Sequence, residues 1–341
     1  MFIITIDCGT TNTRLYLVDE NGNLISAVSR KIGVSDVAVY SSTDILKSEL
    51  KQMFDQILLN SGIGIKDIKF IIASGVITSE IGLFELEHLW TPCTLSDIAE
   101  NIKNVGNLGV FPEEIPVYFI RGVKNYFDPD TAFINDIGMI DTLRGEETQI
   151  IGLLTTIDIE LPVIIIMLSS HTKIIPVDKD SRILKSITTF SGQLYEVISQ
   201  NTVLKKSIKK TDDLDGTKNT AIEIINTAYN EVRKSGFLRG LMCIRYLDIL
   251  AHANGTECKL FMESLFAADD LLAIKNLQYS LELPISNFIL IGNKFRCSIY
   301  KYILQEKMDK ECTVSIITNK SKIDKLSILG ALAIAKRARI L

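Results

Sequence analysis

The sequence predicts an α/β protein of two domains, and three observations carry that reading. The chain has 341 residues, 47% apolar and 23% charged, enough to bury two separate cores. Its first two dozen residues read as strand, tight turn, strand, hairpin and strand. The same pattern returns from residue 163 onward, in one register and without a gap.

The opening apolar run Phe2-Ile3-Ile4-Thr5-Ile6 ends in Asp7, and Cys8-Gly9-Thr10-Thr11-Asn12-Thr13 forms a small-residue turn. Arg14-Leu15-Tyr16-Leu17-Val18 is the second strand, and Asp19-Glu20-Asn21-Gly22 carries the Asn-Gly hairpin signal. The turn suits a nucleotide phosphate. A carboxylate at a strand mouth can hold Mg²⁺ directly or through water, glycine allows close backbone approach, and consecutive N–H groups make an anion nest. The same residues also fit an ordinary hairpin, with threonines serving β-propensity and Asp7 capping a turn. On local evidence both readings stand.

A third strand is expected over 24–31, then a helix over 44–59 with Ile45, Leu46, Leu50, Met53 and Phe54 on its buried stripe and Ser42 or Thr43 near its cap. Residues 69–73 form a strand running into Ser74-Gly75, the end of a sheet where α/β proteins place ligands. A capped helix over 96–102, a strand over 116–120 and a mobile loop over 125–136 follow. Glu146 and Glu147 then open an apolar helix, where carboxylates complement the helix dipole by a few tenths to about 1 kcal/mol.

In the second half, Val163-Ile164-Ile165 falls on Ile4-Thr5-Ile6 and Ser169-Ser170-His171-Thr172 on Thr10-Thr11-Asn12-Thr13. Lys173 falls on Arg14, and the Asp178 turn on the Asp19 turn. Such a repeat sets two hydroxyl-rich hairpins to serve one polyphosphate. Helices are expected over 193–208, 217–234, 236–252 and 257–276. A buried strand over 287–291 ends in Gly292-Asn293, an adenosine seat or a plain turn, and opens a helix over 295–307. A strand over 313–318 and a helix over 325–339 with Ser327, Gly330, Ala331 and Ala333 close the chain.

Composition excludes several classes. A net charge of −4 and pI near 5.6 argue against a nucleic-acid partner, and the cluster Lys205, Lys206, Lys209, Lys210 is followed at once by Asp212 and Asp213. The six cysteines show neither CxxC nor metal-ligand spacing. The longest apolar run, 161–168, is too short to span a bilayer, and no charged-then-apolar leader opens the sequence. The expectation is a cytoplasmic protein with reduced thiols and no membrane partner. Its oligomeric state is open, a homodimer included.

Taken in order, these pieces resemble the sugar kinase–actin–heat-shock ATPase superfamily and, within it, the 2-dehydro-3-deoxygalactonokinase family. The string Arg144-Gly145-Glu146-Glu147-Thr148-Gln149, with Gly152 in the helix beyond, carries the closest resemblance. Ser74-Gly75-Val76 with Ser79 and Gly82, Thr91-Pro92 with Asp97-Ile98, Ser191-Gly192-Gln193 and Leu290-Ile291-Gly292 support it. The resemblance implies an actin-like ATPase / sugar kinase fold: two ribonuclease H-like domains, 1–142 and 143–341, with an interdomain cleft and connecting helices at 143–160 and 325–339.

It further implies ATP-dependent phosphorylation of the terminal hydroxyl of a 2-oxo-3-deoxy sugar acid, foremost 2-dehydro-3-deoxy-D-galactonate to its 6-phosphate. Asp7 would organise Mg²⁺. Gly9, Thr10, Thr11 and Thr13 would hold phosphates together with Ser169, Ser170, His171, Thr172 and Lys173. Gly292, Asn293 and Gly330 would seat adenosine. Ser79 and Arg144 would bind substrate, with Arg121 and Arg245 as rivals for its carboxylate. Glu146 first, and Glu147 second, would be the base. The second hairpin departs from the family's Pro-Gly-Thr-His-x-Lys-Trp pattern: here it is Leu168-Ser169-Ser170-His171-Thr172-Lys173-Ile174. Cys8 stands where many relatives carry tryptophan. The altered hairpin favours a second reading, a sensor of the same fold, and a third is a nucleotide or polyphosphate phosphohydrolase that would use the same carboxylates on water.

Overall fold

Ile3, Ile4 and Ile6 put apolar side chains on both faces of their strand, because that strand lies inside a sheet with helices on either side. The computed structural model describes residues 1–33, 43–128, 134–208, 220–281 and 284–341. Strands β1 (Phe2–Cys8), β2 (Thr13–Asp19) and β3 (Leu24–Arg30) form an antiparallel meander. Helix α1 (Asp44–Ser61) leads to β4 (Ile68–Gly75), which pairs parallel with β1. Then come β5 (Leu89–Trp90), α2 (Leu95–Glu100), β6 (Lys103–Asn104), β7 (Val117–Phe119), β8 (Val123–Lys124), β9 (Thr142–Leu143) and α3 (Glu146–Thr156). The main sheet has the order β3-β2-β1-β4-β7-β6, and β5-β8-β9 make a small separate sheet.

The second half continues with β10 (Val163–Leu168), β11 (Thr172–Val177), β12 (Ile187–Thr189), α4 (Ser191–Asn201), α5 (Leu204–Ile208), α6 (Ala221–Ser235), α7 (Phe237–Ile249) and α8 (Gly255–Leu281). Strand β13 (Asn287–Gly292), helix α9 (Lys294–Ile303) with one π turn (Leu304–Met308), β14 (Thr313–Ile317) and α10 (Lys320–Arg337) complete it. Its sheet order, β12-β11-β10-β13-β14, repeats the first sheet strand for strand up to β7. In both sheets the first strand pairs parallel with the strand that ends in glycine.

The chain divides into two compact units. One comprises Met1–Leu161, Val177–Ser186 and Lys320–Leu341; the other comprises Pro162–Pro176 and Ile187–Asn319. This differs from the expected break after residue 142. Helices α3 and α10 pack in the first unit, where Ile151, Ile328, Ala331 and Leu332 are buried with Ile3, Tyr16 and Ile72. The opposite face of that sheet buries Ile4 and Ile6 against Leu46, Leu50 and Met53 of α1. The apolar stripe expected on α1 is thus its core face.

The internal repeat holds at the level of single hydrogen bonds. Asp19 Oδ1 accepts from the Asn21 and Asn23 amides at 2.9 and 2.8 Å; Asp178 Oδ1 accepts from the Asp180 and Arg182 amides at 3.0 and 2.9 Å. Gly33 and Gly192 stand at equivalent positions 159 residues apart. A Cβ on the first would lie 2.3 Å from the Thr10 carbonyl oxygen, and on the second 2.0 Å from that of Ser169. One register therefore spans both turns and the glycine that backs each hairpin.

Some elements differ from expectation. The helix expected over 193–208 is two, α4 and α5, and α10 begins at Lys320 rather than 325, its polar first turn hiding its start. Thr43 precedes α1 without a side-chain cap; Ser42 lies outside the described residues. So do 129–133 of the expected loop, 217–219 of the helix expected over 217–234, and Lys209, Lys210 and the aspartates that follow them. Residues 134–139 form a 3₁₀ helix. All six cysteines are free. Among the described residues no helix is long and apolar enough to cross a membrane.

Candidate active site

In the first unit, β1 delivers Asp7 to the base of the 9–12 turn, where Gly9 N donates to the Asn12 carbonyl at 2.8 Å. Asp7 and Arg14 face each other across β1 and β2, and Arg14 Nη1 lies 3.1 Å from Asp7 Oδ2. Burial pushes the Asp7 carboxyl up, Arg14 pulls it back, and Glu146 and Asp324 push it up again. Asp324, on α10, is an acidic neighbour that sequence spacing does not reveal. Thr10 and Thr11 are exposed. Thr13 is not available to a phosphate: it is fully buried, and its hydroxyl donates to the Ile32 carbonyl at 2.8 Å.

Helix α3 starts against this turn. Gly145 has φ +107° and Gly75 φ +96°, and a Cβ on Gly145 would fall 3.2 Å from the Gly75 Cα. A side chain at Gly145 would separate the end of β4 from the helix that carries the carboxylates, and one at Gly75 would strike the Cys8 carbonyl oxygen of β1 at 2.2 Å. The two glutamates then part company. Glu147 is fully buried; both its oxygens accept from the Gly145 amide at 2.9 and 2.7 Å, and Thr148 Oγ1 donates to Oε1 at 3.0 Å. Burial, reinforced by the charge of Glu146, pushes its carboxyl up to about 7. Glu146 is half-buried, and its Oε2 accepts from the Arg144 amide at 3.0 Å.

Arg144 was expected to bind substrate, but its guanidinium is occupied. Nη1 donates to the Thr78 carbonyl and hydroxyl, both at 2.6 Å, and Nη2 to the Leu86 carbonyl at 2.9 Å. It clamps the 76–88 loop instead. The rivals are engaged too: Arg121 donates to the carbonyls of Asn101 and Glu87, and Arg245 is paired with Asp248 at 2.8 Å. Ser79 is buried on that clamped loop, its hydroxyl donating to the Val76 carbonyl at 2.7 Å.

In the second unit, the hairpin between β10 and β11 is held from beneath. Gln193 N donates to the Ser170 carbonyl at 2.6 Å, and Ser169 Oγ to the His171 carbonyl at 2.9 Å. The His171 ring lies 5.4 Å from that of Phe190. Lys173 is half-buried, in register with Thr188. Thr172, like its counterpart Thr13, is fully buried and so is no phosphate ligand; its hydroxyl has no hydrogen-bond partner.

Gly292 pairs with Leu168 at the end of β13, and Asn293 Oδ1 caps α9 by accepting from Phe295 N at 2.9 Å. Beside that cap, Ala221, Ile224, Ile225, Leu260, Phe295 and Ile299 line a cavity of about 310 Å³. Phe295, 37% exposed, was not singled out by the sequence because a lone aromatic after a helix cap has no motif. Gly330 does not belong to this region. It lies in the first unit, where a Cβ would fall 1.8 Å from the Thr148 carbonyl oxygen and 3.0 Å from Gly152 N. It is a crossing point of α10 over α3, small because two helix backbones touch there.

Among the described residues no three His, Cys, Asp or Glu side chains converge as a metal-ligand set. A single carboxylate such as Asp7 fits a hydrated Mg²⁺ that takes its remaining ligands from water and phosphates. The polar first hairpin with its acidic neighbours is chemistry for a phosphoryl donor.

Known proteins accord with this geometry. No curated protein sequence matches the chain. A provisionally named 2-dehydro-3-deoxygalactonokinase protein from Sinorhizobium meliloti superposes with a TM-score of 0.71 at 18% identity, over 98% of each chain. A reductive activator for a corrinoid, iron-sulfur protein superposes with a TM-score of 0.54 at 12% identity, over 99% of this chain and 61% of its own. These likenesses establish the actin-like ATPase / sugar kinase fold. The 2-keto-3-deoxy-galactonokinase profile matches residues 7–320, from Asp7 to the first residue of α10, so the chain belongs to that kinase family.

Proposed function

We propose that the protein transfers the γ-phosphoryl group of Mg·ATP to the terminal hydroxyl of 2-dehydro-3-deoxygalactonate, with Glu146 as general base. The observation that carries the assignment is the contrast at the start of α3: Glu146 is half-buried, while Glu147 is sealed in the core on the Gly145 amide. A base must come within hydrogen-bond reach of the hydroxyl it deprotonates, and a fully buried carboxylate does not meet substrate.

In this reading the residues divide the work. Asp7 would hold a hydrated Mg²⁺, whose charge would offset that of the ATP phosphates. The backbone amides of 9–12 and the exposed hydroxyls of Thr10 and Thr11 hold phosphate oxygens. In the second unit, residues 169–171 and Lys173 offer donors of the same kind. Arg14 keeps Asp7 oriented through their 3.1 Å contact. Glu146 accepts the proton of the attacking hydroxyl. Glu147 serves from behind: a carboxyl pushed up to about 7 limits the charge beside the base. Arg144 fixes the 76–88 loop, with Ser79 on it, as one wall of the sugar pocket. The adenine ring enters the 310 Å³ cavity beside Phe295, next to the Gly292–Asn293 turn.

The test is an ADP-release assay with Mg·ATP and a panel of 2-oxo-3-deoxy sugar acids, with ³¹P NMR of the product. Sugar-dependent turnover giving a primary phosphate ester supports the proposal. ATP binding without turnover on any acid points to a sensor, and sugar-independent hydrolysis to a phosphohydrolase; either result overturns it.

A further inference from the structure

Beneath the second hairpin lies a polar network that the reaction as described does not use. Arg296, Glu263, Asp270, Tyr300 and Ser191 are all more than nine-tenths buried. Arg296 Nε lies 3.2 Å from Glu263 Oε2. Asp270 accepts from the Ser191 and Tyr300 hydroxyls, both at 2.5 Å. From this network two arms reach the hairpin. Arg296 Nη1 donates to the Ser169 carbonyl at 3.4 Å. Ser191, fixed by Asp270, starts the helix whose Gly192 and Gln193 pack on the carbonyls of Ser169 and Ser170.

As a stability device the Arg296–Glu263 pair is poor. Among the described residues, Nε and Nη2 of Arg296 and Oε2 of Glu263 are buried and make no hydrogen bond, so the two charges meet without good alignment. A buried ion pair of this kind is commonly matched or bettered by apolar residues of similar volume. Its placement argues for a different use. The carbonyls of Ser169 and Ser170 are held by Arg296 and by the start of α4, and a hairpin whose carbonyls are gripped from below keeps its amides aimed outward.

We propose that Arg296, braced by Glu263, is a positioning residue that holds the second hairpin in its phosphate-binding shape. This rests on the reading of that hairpin as an ATP phosphate site. Removing the guanidinium frees the Ser169 carbonyl, and the turn loses its fixed amide directions. A misplacement of about 1 Å in such a site costs up to about a hundredfold in rate.

The experiment compares wild type with Arg296→Leu, Arg296→Lys, the double variant Glu263→Leu/Arg296→Leu, and Lys173→Met as a hairpin control. Three quantities are read: thermal midpoint, KM for ATP against kcat and sugar KM, and amide hydrogen exchange of residues 168–173 with and without Mg·ATP. Arg296→Leu should lose stability, exchange faster in the hairpin and raise KM for ATP at least about tenfold with sugar KM unchanged. Arg296→Lys should recover part of the ATP affinity. The double variant should regain the thermal midpoint and still show fast hairpin exchange and weak ATP binding.

A double variant with wild-type hairpin exchange and wild-type KM for ATP would show the pair to be merely structural, and the proposal would fall. If Mg·ATP leaves wild-type hairpin exchange unchanged and Lys173→Met leaves KM for ATP unchanged, the hairpin is no phosphate site. That outcome defeats the underlying reading, and with it the inference, by a signature the first outcome lacks.

Discussion

The two hairpins are the same device built twice, and on the proposed function their differences give them different tasks. Both are strand–turn–strand units followed by an aspartate turn, and both are backed by a glycine whose Cβ would strike a hairpin carbonyl oxygen at 2.3 or 2.0 Å. Both bury the threonine at the turn's end completely. The acid is present once: Asp7 of the first has Ile166 as its counterpart in the second. The flexible residue is also present once, because Gly9 is matched by Leu168. The first hairpin sits beside α3 and its carboxylates; the second is gripped by Arg296 and the start of α4. On the proposed function, the first copy would be the acidic, metal-handling end and the second a holder of charge.

That division is open to attack from either copy. Between the two hairpins the larger effect should come from Asp7→Asn, with kcat falling about 10²–10³-fold, the size seen when one charge-stabilising group is lost. Lys173→Met should act mainly on KM for ATP; equal effects of the two on kcat would contradict the division. Gly33→Ala and Gly192→Ala should each destabilise by about 1–3 kcal/mol through overpacking against a backbone carbonyl, seen as lowered denaturation midpoints. Unequal costs would show which copy yields more readily.

Glu147 supplies a pH signature confined to the first unit. Its folded value, about 7, lies above its ordinary 4.5. The stability it contributes is therefore fully present below about pH 4.5 and is lost as pH rises through about 7. Thermal melts of wild type and Glu147→Gln across pH 4–8 should diverge in that sense, the variant gaining relative to wild type toward high pH. The smallest effect concerns the aspartate turns. Ser181 holds φ +60° where its counterpart Gly22 holds +82°. Ser181→Gly should stabilise by no more than about 1 kcal/mol, read as a small rise in thermal midpoint.

Most of the architecture was legible in the sequence because periodicity and the internal repeat are local signals. The 159-residue offset found from the hairpins extends to Gly33 and Gly192, which no pattern of apolar residues marks. The site was legible only in part. Composition marks Thr13 and Thr172 as hydroxyl donors, but strand alternation points both inward, and burial removes them. Arg144 reads as a free anion binder until its four contacts to the 76–88 loop are seen. Gly330 has the small size of a ligand-facing glycine but spends it on a helix crossing. Asp324, Phe295 and Arg296 were missed for the converse reason: each acts through neighbours distant in sequence, and no spacing rule reaches that far.

The central claim is that the two adjacent glutamates opening α3 have different tasks. It is tested most directly by sugar-dependent ADP release from wild type, Glu146→Gln and Glu147→Gln at saturating Mg·ATP. The account predicts that Glu146→Gln loses about 10²–10⁴-fold in kcat, the usual worth of a general base. Glu147→Gln should keep kcat within about tenfold of wild type, as expected for a group that acts only through its neighbour. Collapse in Glu147→Gln with Glu146→Gln near wild type would contradict the account.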